Sequence, residues 1–258
     1  MAATNSLARM LTPKNETMNA MAFWEHGSAQ ATHLFDFTTN DGSNLAYSRD
    51  EILAHTNGAY LATPPRVKLM HCVHFDGGEH DGYPDNFFVH AGRATIELTA
   101  EERVTLATHA VGVSYVDGKS GVESHAEGPV LAYDASGSLA RARYNRHDRS
   151  ALTDTTIDRA LNAFDAQLNR TALQLHLVLR PGEAVLLDNW HVLHGRGGYS
   201  GGRRRLVGAD FANEHLQRRM MEAAAEKIAP VDPVALVVDA GRRDCREHLA
   251  ESGPNPEQ

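Results

Sequence analysis

Apolar residues recur at helical spacing at Ile157, Leu161, Phe164 and Leu168, with polar residues between them, and Thr155 and Asp158 resemble a start signal. A helix packing one stripe inward is predicted there. The period then changes to two: Leu173, Leu175, Leu177 and Leu179 alternate with Gln174, His176 and Val178, and Arg180-Pro181-Gly182-Glu183 leads into Ala184 to Asp188. That pattern predicts two strands joined by a tight turn. Further extended segments are predicted at Val67 to Phe75, Val111 to Val116, Val130 to Tyr133, Leu139 to Tyr144 and Arg205 to Phe211. A second helix is predicted from Glu214 to Ile228, starting at Asn213 and stopping before Pro230. Many short strands between Gly, Asp and Asn turns, with few helices, favour a barrel or jelly roll over a doubly wound parallel sheet.

The 258 residues carry no repeat, no low-complexity linker and no charge block, so one domain over 1–258 is expected, with fraying ends at 1–20 and 250–258. At 42% hydrophobic and 22% charged residues the chain has material for a real core. The balance of 25 Lys+Arg against 33 Asp+Glu, a net charge of −8, argues against a nucleic-acid partner held by phosphate neutralisation. No apolar stretch reaches the roughly 20 residues of a membrane span, and Met1 to Met10 lack the form of a secretory signal. No membrane association is expected, and the cytoplasm is the default compartment. Only Cys72 and Cys245 are present, which excludes a disulfide framework or a multi-cysteine zinc site. Histidine, at 15, is the unusual count.

The most informative segment is Asp188-Asn189-Trp190-His191-Val192-Leu193-His194-Gly195-Arg196, followed by Arg203-Arg204-Arg205-Leu206-Val207-Gly208. A second runs from Asn44-Leu45-Ala46-Tyr47 to His55-Thr56-Asn57, with Pro64-Pro65, His71-Cys72 and Gly77-Gly78-Glu79 beyond. Two histidines distant in sequence, each beside a strand, can converge on one metal in a β-barrel. Two imidazoles and one carboxylate around an open face are the signature of non-haem Fe(II) oxygenases. In this order the motifs resemble the γ-butyrobetaine and trimethyllysine hydroxylase branch of the taurine-dioxygenase-like, Fe(II)/2-oxoglutarate-dependent oxygenases, over roughly residues 40 to 220.

The resemblance implies a mostly β fold with flanking helices and a double-stranded β-helix (jelly roll) core. It implies Fe(II) as cofactor, 2-oxoglutarate as co-substrate, dioxygen, and a small polar substrate that is amino-acid-derived or a quaternary ammonium compound, with hydroxylation as the default outcome. Residue by residue, it makes His55 and His194 iron ligands and Arg204 the partner of the distal carboxylate of 2-oxoglutarate, with Arg205 the fallback if the strand register slips by one. Asn44 corresponds to a residue that helps hold the co-substrate, and Tyr47 to an aromatic cage member. Only 43 residues precede Asn44, so the family's preceding strands and further cage aromatics are expected to be missing. Phe23-Trp24 and Phe35 to Phe37 are candidate cage walls, against their ordinary reading as core residues.

The family's third ligand is an aspartate, and this chain has Asn57. An amide brings a neutral oxygen where a carboxylate brings a full charge, so iron affinity should fall. Three readings follow: a working His, His, Asn or open face, as Gly or Ala opens the site to chloride in related halogenases; a catalytically impaired relative that binds a ligand on the same scaffold; or an engineered substitution. Asp76, Glu79 and Asp81 are candidate replacement carboxylates.

The remaining residues have blander readings. His71, His74, His80 and His90 are irregularly spaced and read as a mixed strand and loop surface rather than a zinc site. His191 reads as a surface group or one supporting the ligands. Arg196 either faces a carboxylate of the ligand or pairs with Asp188 or Asp210, and Cys72 is expected to be buried and inert. Self-association as a homodimer stays open.

Overall fold

In the computed structural model, residues 35–38, 45–77, 85–117, 122–211 and 236–239 are described. The strands are β1 (Phe35–Thr38), β2 (Ile52–His55), β3 (Val67–Phe75), β4 (Asp85–His90), β5 (Val111–Asp117), β6 (Val122–Gly128), β7 (Leu131–Tyr133), β8 (Leu139–Ala142), β9 (Gln174–Val178), β10 (Glu183–Asp188), β11 (Val192–Arg196), β12 (Arg204–Phe211) and β13 (Leu236–Asp239). The helices are α1 (Ala91–Ala94), α2 (Ala100–Thr108) and α3 (Thr155–Leu168). The second predicted helix, Asn44, Phe23-Trp24, Glu79, His80, Asp81, Cys245 and both predicted frayed ends lie outside the described residues.

A five-stranded sheet in the order β1-β12-β3-β10-β13 faces a four-stranded sheet in the order β2-β11-β4-β9. Met70, Cys72 and Phe75 of β3, Val185 and Leu187 of β10 and Leu206 of β12 pack with Phe88 of β4 and Val192 of β11 into one cluster. Side chains of both sheets therefore interdigitate, as in a jelly roll. On the other face of the smaller sheet, Phe87, Val89 and Leu193 pack under Ile157, Leu161, Phe164 and Leu168 of α3.

The inward stripe of α3 is the predicted one, but its cap is Asp154, whose side chain accepts from the backbone N–H of Thr156 and Ile157. Thr155 and Asp158 lie inside the helix instead. The α2 start is a full capping box between Thr99 and Glu102.

The two strands predicted around Arg180-Pro181-Gly182-Glu183 form, but they do not pair. β9 hydrogen-bonds to β4 in the smaller sheet and β10 to β3 in the larger one. Gly182 takes a φ of 92° and donates its N–H to Cys72 O at 2.8 Å, so the turn carries the chain from one sheet to the other. The leucine alternation on β9 is that of an edge strand, with Leu175 45% exposed.

Candidate functional site

The register between β2 and β11 sets His55 directly opposite His194, and their ring centroids are 4.4 Å apart. The two imidazoles, 139 positions apart in sequence, thus meet on neighbouring strands of the smaller sheet. Gly195 permits that close pairing: a Cβ there would lie 2.5 Å from Ile52 O and collide with the Phe87 ring.

Both rings are held neutral. Desolvation takes His55 from 6.5 down to about 4, against backbone hydrogen bonds from Leu53 and His194 that pull the other way. His194 is 6% exposed, and burial, the neighbouring His55 and Lys68 hold it well below the ordinary value. His55 Nδ1 donates to Leu53 O at 2.9 Å, which leaves Nε2 as the lone-pair nitrogen. His194 Nδ1 is buried with no hydrogen-bond partner among the described residues. Neutral, uncommitted imidazoles are the protonation state a divalent metal takes.

The loop after β2 is clamped by the Asp188-Asn189-Trp190 motif. Asn189, 0% exposed, accepts from Asn57 N at 2.9 Å and donates to Asn57 O at 3.0 Å and Pro65 O at 2.7 Å. Trp190 Nε1 donates to Pro64 O at 2.9 Å, and the Arg66 guanidinium stacks 4.6 Å from the indole centroid. Gly58 turns the chain at a φ of +68°, and Arg143 Nη1 then holds Ala59 O at 2.7 Å while its Nη2 binds Val111 O and Gly128 O.

Asn57 does not stand alone. Its Nδ2 donates to Asp210 Oδ2 at 2.5 Å, and Lys68 Nζ donates to Asp210 Oδ1 at 3.3 Å. Lys68 and Asp210 are directly opposite on β3 and β12, at 3% and 5% exposure. Burial is the largest influence and leaves the Asp210 carboxyl raised overall, although Lys68 and Asn57 pull it down. Tyr60 lies near this carboxylate and stacks on Tyr115 with centroids 4.8 Å apart; burial first, then Asp210, raises its phenol. Among the described residues no three His, Cys, Asp or Glu side chains gather as a metal-holding group.

Within the run Arg203-Arg204-Arg205, strand alternation buries Arg204 at 7% exposure, leaves Arg203 exposed and Arg205 half-buried. Arg204 Nη2 donates to Asn86 Oδ1 at 2.8 Å, and desolvation lowers the guanidinium only to about 10, so it stays charged at neutral pH. Tyr47 is half-buried on a short 3-10 helix, Leu45–Tyr47. Arg196 Nη2 tethers that segment to β11 by donating to Ser48 O at 3.0 Å and Asp50 O at 2.6 Å.

Several expectations are corrected. Arg196 pairs with neither Asp188 nor Asp210, because backbone carbonyls take its guanidinium and its cation lies 5.2 Å from the Tyr199 ring. Asp188 instead holds His191 Nδ1 at 3.0 Å, and His191 Nε2 donates to Leu139 O. His71 is buried in β3 at 7% exposure rather than on a surface, whereas His74 is exposed beside Asp76. Asp76 accepts from Arg203 N and is exposed; the carboxylate against Asn57 is Asp210, which no local motif marked. No local pattern marks Lys68 or Asn86 either, whereas Asn189 lies within the Asp188-Asn189-Trp190 motif.

The same architecture occurs in asparagine oxygenase solved with Fe(II), 2S,3S-3-hydroxyasparagine and succinate, at 19% identity, a TM-score of 0.58 and coverage of 72% of this chain and 59% of that one. The non-heme iron oxygenase OrfP in complex with Fe and alpha-ketoglutaric acid superposes with a TM-score of 0.53 at 16% identity, again over 72% of this chain and 59% of the other. In sequence, the chain is 27% identical over 179 residues to a mitochondrial trimethyllysine dioxygenase of Gallus gallus, covering 66% of this chain and 42% of the relative. It is 26% identical over 185 residues to the gamma-butyrobetaine dioxygenase of Homo sapiens, covering 66% and 46%. The chain therefore spans less than half the length of these relatives. The model of the taurine catabolism dioxygenase TauD, TfdA family matches residues 23–209, more than half of the chain, and the chain belongs to that family.

Proposed function

We propose that the protein is an Fe(II)/2-oxoglutarate-dependent oxygenase acting on a small polar metabolite, amino-acid-derived or a quaternary ammonium compound, by hydroxylation. The observation that carries this reading is the neutral pair of half-buried His55 and buried His194, in register between β2 and β11, with a charged, buried arginine on the facing sheet. Two neutral imidazoles suit Fe(II), and a planar guanidinium suits the distal carboxylate of 2-oxoglutarate. When bound, the metal and its co-substrate supply the oxidising power that places one oxygen atom of dioxygen in a substrate C–H bond and the other in succinate, with release of carbon dioxide.

The chain's own residues do the rest. His55 and His194 hold the cation, with Asn57 Oδ1 as a neutral third donor. Arg204, oriented by Asn86, anchors the co-substrate from β12 in preference to the fallback Arg205, with Asn44 as a further co-substrate contact. Tyr47 is assigned to the substrate side, on the segment that Arg196 fixes to β11. Desolvation between the sheets keeps both imidazoles unprotonated at neutral pH, so no proton competes with the metal there.

Anaerobic addition of Fe(II) and 2-oxoglutarate is expected to produce a charge-transfer absorption band, and admission of air to produce succinate. His194→Ala should abolish both. A band and succinate yield unchanged in His194→Ala overturn the ligand assignment, and their absence from metal-replete wild type overturns the enzymatic reading.

A further inference from the structure

Asn57 sits where the family places an aspartate, yet a buried carboxylate is present one hydrogen bond behind it. Asp210 reaches that position from β12, 153 residues away, because the β3–β12 register sets it opposite Lys68 and the loop after β2 folds over both. An ionised carboxylate only accepts hydrogen bonds, so the amide must turn its NH2 toward Asp210. That settles the rotamer: Nδ2 is committed to the carboxylate, and Oδ1 is the atom at the free end of the amide. The backbone on both sides of this side chain is already held by Asn189, so the amide has little freedom to turn elsewhere.

We infer that Asp210 and Lys68 form a positioning pair that fixes Asn57 as a neutral oxygen donor to the divalent metal, with the carboxylate of the usual triad moved back by one hydrogen bond. The inference rests on the proposed reading of His55 and His194 as ligands. Its physical content is a redistribution of charge. Donation of an N–H to an anion polarises the amide and makes its oxygen a better donor than a free amide's. Lys68 stops Asp210 from being an unpaired buried charge, so Asp210 and Lys68 cancel while the amide donates. Two neutral imidazoles and a neutral amide would hold the cation, with the compensated ion pair behind the amide, where the usual triad would place one net negative charge.

Such supporting partners change metal affinity by about 10–100-fold when removed. The test uses the full-length apo-protein and Mn(II), a divalent probe that needs neither dioxygen nor 2-oxoglutarate, with affinity read by electron paramagnetic resonance. Circular dichroism and melting temperature are followed alongside. Asn57→Ala and Asp210→Asn are each expected to weaken Mn(II) binding by about 10-fold or more. Asp210→Asn takes away the Asp210 charge that pairs with Lys68 and threatens folding, so the exchange Asn57→Asp/Asp210→Asn is measured beside it. It keeps one carboxylate beside the same amide and returns the charge to the metal-facing position, and it should bind Mn(II) at least 10-fold more tightly than Asp210→Asn. A purely structural role for Asp210 moves the melting temperature of Asp210→Asn but leaves its Mn(II) affinity within about twofold of wild type in the folded fraction. If Asn57→Ala and the exchange both bind within about twofold of wild type while His194→Ala abolishes binding, the positioning pair is wrong and the histidine site stands. If His194→Ala binds Mn(II) as wild type does, the histidine reading fails and takes this inference with it.

Discussion

Asn189→Ala isolates the clamp that presents the loop after β2. The wild-type side chain is fully buried and makes three hydrogen bonds, to Asn57 N at 2.9 Å, Asn57 O at 3.0 Å and Pro65 O at 2.7 Å. Truncation removes all three and strands one backbone N–H and two carbonyls. At about 1 kcal/mol net for each bond, and more for each group that stays buried without a partner, the loss is about 3–5 kcal/mol. At about 2–4 °C per kcal/mol for a chain of this size, the melting temperature should fall by at least about 6 °C. The same loss loosens Asn57, so Mn(II) affinity should drop by about 10-fold in the fraction that remains folded. Asn189→Asp is the sharper companion: the shape survives, but a carboxylate oxygen replaces the amide donor against two carbonyls, and the variant should be less stable than Asn189→Ala. Differential scanning calorimetry and Mn(II) titration read both effects. A melting temperature within about 2 °C of wild type, together with unchanged Mn(II) affinity, refutes the clamp, since three buried hydrogen bonds are too large a loss to go unseen.

Arg204→Ala should raise the 2-oxoglutarate requirement by about 30-fold or more, as expected when a buried charge pair worth about 2–5 kcal/mol is broken, while Arg205→Ala changes it little; succinate formation against co-substrate concentration reads this, and equal effects refute the choice of Arg204. Apo-protein stability should fall in acid: His55 is depressed from 6.5 to about 4, so its contribution is complete above 6.5 and is lost as pH falls through about 4, up to about 3 kcal/mol for that ring alone. His191 works in the opposite sense, because its hydrogen bond to Asp188 raises it; its contribution is present below 6.5 and lost as pH rises through its folded value, and denaturant unfolding across pH in wild type and His191→Gln separates the two limbs. Arg143→Met should cost about 3 kcal/mol or more, because the buried guanidinium donates to Ala59 O, Ala126 O, Val111 O and Gly128 O; urea unfolding checks it, and a loss under about 1 kcal/mol means that water reaches those carbonyls.

Local pattern made much of the β-rich architecture legible before any coordinates. The stripe Ile157, Leu161, Phe164 and Leu168 is amphipathic enough to name its own helix, and the apolar run of β3 reads as a buried strand because its residues are covered on both faces. The two histidine segments were visible because each keeps its motif within a few residues. What stayed hidden depends on register. Nothing near Asp210 in sequence marks it as the neighbour of Asn57; the juxtaposition exists only once β12 pairs with β3. The pairing of β9 and β10 was misread for the same reason. A tight turn between two strands usually makes a hairpin, but here the alternation on β9 and the continuous apolar run on β10 belong to different sheets. The charge of Arg196 suggests a carboxylate partner, whereas backbone carbonyls at Ser48 and Asp50 take its Nη2.

That same register gives the departure at position 57 a physical reason. With Asp210 buried and 2.5 Å from the side chain of residue 57, a second carboxylate there would set two negative charges about 3 Å apart, with Lys68 bonded to the far oxygen of Asp210. At an effective dielectric of about 20 the repulsion is about 5–6 kcal/mol, comparable with the whole stability of many domains, and a proton would have to be taken up to relieve it. An amide removes the repulsion and adds a donor in its place, converting the closest approach in the site from a conflict into a hydrogen bond. Positions 57 and 210 are thus one choice rather than two. A carboxylate at 57 asks for a neutral residue at 210, and a carboxylate at 210 asks for an amide at 57. Read singly, Asn57 is a missing ligand; read with Asp210 and Lys68, it is the neutral half of an arrangement whose charge has moved to the neighbouring strand.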